Sequence, residues 1–339
     1  MTPLESLWKR GKDFLGVKTP IMAGAMTWIS DSAFTAEVSN HGAFGCLAGG
    51  NMDPGKLEDE IRLTKERTTR PFAVNLITIA PNYPGQLKAV RRNAVPFVIF
   101  AGSFPREAEI REAKDSGAKV LCFASSDIMA KRLISQGTDA LILEGSEAGG
   151  HVGHVSLGIL LQQVLFRVEE VPVFVAGGIA TGAFIAHLLL MGAAGVQLGT
   201  FFVLTEECRA HPNFKRALIR AQARAAVSTP QIGSELKVVA VRALRNKGHD
   251  RFADLQMDLI RQRREGAISQ AEAQAQVEGY WVGALRRAVE DGDMDYGSVM
   301  AGQSAGLVDR VRPLGQALAY LKEGAEQEIE RVRRRVTAL

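Results

Sequence analysis

Through its first two hundred residues the chain alternates between two patterns. Short, almost continuously apolar runs recur at 20–24 (PIMAG), 43–48 (AFGCLA), 71–77 (PFAVNLI), 96–101 (PFVIFA), 118–123 (AKVLCF), 139–144 (DALILE), 171–176 (VPVFVA) and 194–199 (AGVQLG). Such runs predict parallel strands covered on both faces. Between them lie stretches of helix length that are polar on one side, among them 31–40, 54–68, 106–116 and 126–136. Eight strands alternating with helices predict an α/β fold, a closed (β/α)8 TIM barrel. No GxGxxG follows any of the strands, which argues against a Rossmann sheet.

Past residue 204 this rhythm stops. Residues 205–290 are charged and rich in Gln, Arg and Ala, and predict a helical lobe over the barrel mouth with no strand in it. A glycine-rich return segment follows at 292–306 (GDMDYGSVMAGQSAG), then a helix over 313–337. The predicted organisation is a barrel at 1–204, a lobe inserted after strand eight at 205–290, and a return segment and C-terminal helix packing on the barrel at 291–339. The 339 residues, 46% hydrophobic, accommodate this, since a barrel alone takes about 250.

Charge and composition narrow the partners. A net charge of +4 and a 6% aromatic share offer no surface for nucleic acid. The cluster Arg331, Arg333, Arg334 and Arg335 follows several glutamates, and reads as a solvated helix end matched to its dipole. Three cysteines lie far apart with no CxxC. Cys46 and Cys122 sit in apolar runs and read as core. The N-terminal stretch lacks the apolar region of a signal peptide. The apolar stretch from Phe184 to Leu204 contains His187, Gln197 and three glycines, and divides into helix, turn, strand and turn rather than one membrane span. The expectation is a cytoplasmic protein with no membrane contact, with a homodimer left open.

Barrel chemistry lies at the C-terminal ends of the strands, so the residues following each strand matter most. Ala23-Gly24-Ala25-Met26 follows strand one and Gly49-Gly50-Asn51 strand two; small residues there admit a flat ligand or make a tight turn. Asn75 interrupts the apolar third strand, either to hydrogen-bond a heterocycle or to satisfy a neighbouring loop. After strand six comes EGSEAGGHVGH, from Glu144 to His154, where His151 is a candidate proton carrier on an accessible, flexible loop. Two histidines three apart with no defined helix make a poor ligand set, so no metal is predicted. Gly177-Gly178 after strand seven and Gly199-Thr200 after strand eight would turn backbone N–H groups toward an anion, at the recurrent phosphate corner of such barrels. Gly177 and Gly182 are spaced as in a P-loop, but Ala183 stands where that motif needs lysine.

Taken together, PIMAGAM with Trp28 after it, PFAVN, EGSEAGGHVG, PVFVAGGIATG, GVQLGTFF with a later HPNFK, and GSVMAGQSAGLV resemble the FMN barrels. That group includes the nitronate monooxygenases (2-nitropropane dioxygenases) and the flavin-dependent, type II enoyl-ACP reductases. The resemblance implies FMN across the barrel mouth against Gly24, Met26, Asn75, Glu144, Gly178, Gly199 and Thr200, with His151 as the catalytic imidazole. Ala23, Gly149, Gly150, Gly177, Met300, Gly302 and Gln303 join them as implied cofactor contacts. GSVMAGQSAGLV and the GGN at 49–51 resemble the enoyl reductases most, whereas FAGSFP at 100–105 and Ser146 depart from their pattern. The reaction implied is NADH- or NADPH-dependent reduction of an enoyl thioester, free or carried on acyl carrier protein. The alternatives are nitronate oxidation with oxygen and, further off, a flavin-free lyase or isomerase or a ligand-binding barrel. Met294, Val299, Met300, Ala301 and Ala305 are expected to line an apolar channel for the acyl chain.

Overall fold

A strand that is apolar on both faces needs partners along both edges and cover on both sides, and a closed ring of eight provides this. The computed structural model describes residues 2–337. Its strands are β1 (Ile21–Ala23), β2 (Gly45–Ala48), β3 (Phe72–Ile77), β4 (Phe97–Ala101), β5 (Lys119–Ala124), β6 (Ala140–Glu144), the short β7 (Gly150–His151), β8 (Val173–Ala176) and β9 (Gly195–Leu198). All but β7 form one parallel sheet in the order β1-β9-β8-β6-β5-β4-β3-β2. A parallel bridge between Met22 and Phe44 joins its two ends, with Phe44 N–H donating to Ile21 O and Ala23 N–H to Phe44 O, both at 2.9 Å. The predicted barrel is present, each strand within two residues of its expected bounds.

Side chains alternate between the barrel interior and the surrounding helices. Met22, Cys46, Ala73, Ile99, Leu121, Ile142 and Phe174 fill the interior, a cluster separate from the one between strands and helices. Residues paired across parallel strands face the same way. Ala48 pairs with Asn75 and Asn75 with Ile99, while Glu144 pairs with Ala176 and Ala176 with Gln197. Asn75, Phe123, Glu144 and Gln197 therefore form the uppermost inward layer, at the strand ends where barrel sites lie.

Outer helices begin where a short polar side chain takes up an orphan N–H. Asp31 accepts from Phe34 N at 2.9 Å, Asp53 from Lys56 N at 2.9 Å and Ser126 from Met129 N at 3.2 Å. The C-terminal helix Leu314–Thr337 packs along the helix Gly182–Leu190, where His187 Nε2 and Glu328 Oε1 are 2.7 Å apart. Among the described residues no helix is long and apolar enough to cross a membrane.

Two expectations about the second half need correction. The segment 205–290 does contain strands: β10 (Ala226–Ser228) and β11 (Val241–Leu244) are antiparallel, and β11 pairs on with β7. Its helices Lys247–Arg264 and Gln270–Arg286 close over a small core of their own, with Phe252, Leu259, Ile260, Ala273 and Val277. The return segment does not offer a row of channel residues either. Val299, Ala301 and Ala305 are buried in the main core, and only Met294 and Met300 stay half-buried. Apolar residues in a glycine-rich segment were here packing against the barrel.

Candidate active site

The loop after β6 is drawn shut at its base. Gly145 N–H donates to Ala176 O at 3.0 Å and Ser146 N–H to Val155 O at 2.9 Å, while the Glu147 carboxylate accepts from Leu157 N at 3.0 Å. From there the chain rises into β7, where His151 pairs with Val241 and Gly150 with Arg242, and Val152 N–H donates to Ala240 O at 3.0 Å. His151 thus belongs to a strand held by the lobe, not to the free loop that small flanking residues suggested. The Arg242 guanidinium clamps the arrangement, its Nε donating to Ser146 O at 3.1 Å and Nη1 to Ala226 O at 2.7 Å.

The return segment locks onto the same loop. Gln303 N–H donates to Glu147 O and Gly302 N–H to Thr200 Oγ1, each at 2.9 Å, and Ala243 bridges Met300. Gly149 permits this approach, since a Cβ there would stand 2.5 Å from Gly302 N. The Met300 sulfur lies 3.9 Å from where a Cβ on Gly150 would be. Trp28, in the loop after β1, adopts φ 67°, and the Arg286 guanidinium of the lobe lies 5.4 Å from its ring centroid. Barrel, lobe and return segment meet around one mouth.

The polar groups facing that mouth lack protein partners. The side chains of Asn75 and Gln197 are buried, yet neither makes a hydrogen bond among the described residues. Burial pushes the Glu144 carboxyl up to about 8, with no cation nearby to oppose it. Burial also lowers the His151 imidazole below its usual value, although the ring opens to the mouth, and no neighbour orients it. At neutral pH the acid therefore carries its proton and the imidazole does not.

An unfolded glutamate titrates near about 4.3, so the native carboxyl binds its proton more tightly. Its contribution to stability is complete below about pH 4 and is lost as pH rises through about 8. Glu144→Gln should melt higher than the wild type at pH 9 and alike at pH 4. The gap should be of order a few kcal/mol at most, since Glu144 as a whole residue is only half-buried. Superposed melting curves at pH 9 would show a carboxyl already well solvated.

At the opposite corner Gly177 and Gly178 adopt φ of 94° and 72°, and the Gly178 N–H meets no acceptor among the described residues. Thr200 opens the short helix Thr200–Val203, and a Cβ on Gly199 would approach only the Met26 sulfur, at 3.9 Å. Ala23 turns its own side chain into the outer core, so it can offer only backbone to the mouth. The free N–H groups, the small residues and the three unpartnered polar side chains suit a planar heterocycle carrying a phosphate.

Three contributors lay outside the residues singled out by sequence. Gln197 follows by parity, two positions beyond an interior glycine on β9. Gln86 Nε2 donates to Gly49 O at 3.0 Å and Met52 O at 2.7 Å, holding the loop after β2 from a helix face. Arg242 had no local signal, because its partners are distant in the chain.

The sequence pattern of the nitronate monooxygenase family matches residues 9–84 and 77–324. A (3aS,4S,5R,7aS)-5-hydroxy-7a-methyl-1-oxo-octahydro-1H-indene-4-carboxyl-CoA dehydrogenase of Rhodococcus jostii is 36% identical over 195 residues, covering 58% of this chain and 55% of that protein. The match thus spans about half that relative's length. A nitronate monooxygenase of Paraburkholderia phytofirmans is 27% identical over 365 residues, covering 94% of this chain and 95% of that one. Among solved structures, FabK from Thermotoga maritima superposes with a TM-score of 0.85 at 34% identity, over 96% of this chain and 98% of that one.

Proposed function

Because this chain belongs to the nitronate monooxygenase family of oxidoreductases, we propose that it is an FMN enzyme reducing an enoyl thioester with NADH or NADPH. The observation carrying this reading is the seating of Met300–Gln303 between Thr200 and the His151 loop. The segment resembling the enoyl reductases thereby forms part of the mouth. The likeness to FabK, an enoyl-ACP reductase II, supports it, as does a relative named for a carboxyl-CoA substrate.

Backbone N–H groups of Gly178, Gly199 and Thr200 would hold the phosphate, while Asn75, Glu144 and Gln197 would meet the polar edge of the ring system. Bound there, FMN supplies hydride transfer through its N5 position. Glu144, protonated at neutral pH, can donate a hydrogen bond as well as accept one. In its charged form, the minor one at neutral pH, His151 would deliver a proton to the substrate α-carbon. The mouth orients both reactants, so much of the rate gain comes from placement.

A second reading is favoured by the lowered His151 value, since a neutral imidazole is ready to take an α-proton from a nitroalkane. Anaerobic mixing separates the two. NADH or NADPH should bleach the flavin absorbance within seconds, on the order of the usual turnover rates, and crotonyl-CoA should restore it. Should pyridine nucleotides leave the absorbance unchanged while a nitronate bleaches it, the monooxygenase reading stands.

A further inference from the structure

Away from the barrel axis, the helices Lys247–Arg264 and Gln270–Arg286 and the start of the return segment border an open cavity of about 350 Å³. It is lined by Arg251, Gly279, Tyr280, Arg287 and Tyr296. Arg251 is exposed and makes no ion pair or hydrogen bond among the described residues. Arg287 is loosely held, 3.3 Å from Tyr296 O and 3.6 Å from Asp293 Oδ2. Burial raises the Tyr280 phenol above its usual value, and the Arg251 and Arg287 guanidinium groups, close enough to act on it, oppose that rise. One face of the Tyr280 ring is covered by Phe252, with centroids 5.1 Å apart, whereas Tyr296 is 43% exposed. Residues 205–290 carry fifteen Lys and Arg against ten Asp and Glu, so the lobe holds the positive surplus of a chain whose net charge is +4.

Two guanidinium groups beside one exposed phenol ring, that of Tyr296, suit phosphates attached to a purine. Position points the same way. Tyr296 lies four residues before Met300, which adjoins Gly150 at the mouth, and four residues reach at most about 14 Å. A nitroalkane cannot touch His151 and this cavity together, whereas an adenosine-phosphate conjugate with a long arm can.

The geometry points to this cavity as the seat of the adenosine-phosphate end of an extended ligand, with phosphates on Arg251 and Arg287 and the purine against Tyr296. The ligand is the CoA of the thioester or the nicotinamide donor, which share that chemistry. The assignment rests on the enoyl-thioester reading, and its test separates the two.

Titration calorimetry on the flavin-loaded protein should show saturable binding of adenosine 3′,5′-bisphosphate if CoA is the source, or of ADP-ribose if the nicotinamide donor is. Arg251→Gln should weaken that binding about tenfold or more, as loss of a charge-assisted contact does. In turnover the same variant should raise KM about tenfold for crotonyl-CoA or for NADH, according to which probe bound, with kcat little changed. KM for the crotonyl thioester of N-acetylcysteamine, which has no nucleotide, should stay as in the wild type. Arg287→Gln should move the same constants in the same direction. No binding of either probe, or binding equal in wild type and Arg251→Gln, overturns the assignment. If no thioester restores the flavin absorbance, the enoyl reading has failed and the calorimetry still decides the cavity.

Discussion

His151→Ala leaves the flavin bound and the fold intact while turnover falls by about 10²–10⁴-fold, the span of a positioned acid or base. The imidazole sits in β7, is exposed, and makes no side-chain hydrogen bond among the described residues, so its removal opens little. His154, exposed in the bend three residues on, serves as control, and His154→Ala should cost far less. The pH profile adds a sign. Burial lowers the His151 pKa, so the charged form gathers only below the ordinary value near 6.5. Proton delivery to the α-carbon of an enoyl substrate should then quicken as pH falls below neutrality. Proton removal from a nitroalkane should hold level at neutral pH and fail in acid. Equal losses from the two alanine variants, measured by stopped-flow reoxidation, would remove His151 from the reaction.

Gly178→Val should yield folded protein that retains no flavin. The residue adopts φ 72°, a region that a β-branched side chain occupies at a cost of about 1–3 kcal/mol. An added Cβ would stand 3.2 Å from Glu147 Cβ, pressing on the residue that accepts from Leu157 N and caps the His151 loop. The unpartnered Gly178 N–H would be displaced along with it. Circular dichroism reports the fold, and flavin absorbance after gel filtration reports the cofactor. Wild-type flavin content in a folded variant would place the phosphate elsewhere.

The barrel was legible because each strand carries its own signal, an apolar run closed by a small or polar residue. Asn75 and Glu144 stood out as polar residues in such runs, and both face the mouth by the period of two. Gln197 carried the same signal in GVQLG, where the neighbouring glycines drew the reading toward the phosphate corner instead. β10 and β11 left almost no trace. They are three and four residues long, one holds an arginine, and the second edge of β11 is paired by β7, some 90 residues away in the chain. The return segment misled for a related reason: Val299, Ala301 and Ala305 read alike whether they line a channel or fill a core, and composition carries no direction.

The pairing of β7 with β11 makes the position of His151 a joint property of two regions of the chain. Local opening proceeds in cooperative units whose stabilities differ across one structure. Excursions of the lobe that part Val241 from His151 release the imidazole without disturbing a single barrel strand. A graft that exchanged the lobe for a relative's, leaving every barrel residue in place, would therefore reset the aim of the histidine together with the shape of the entrance.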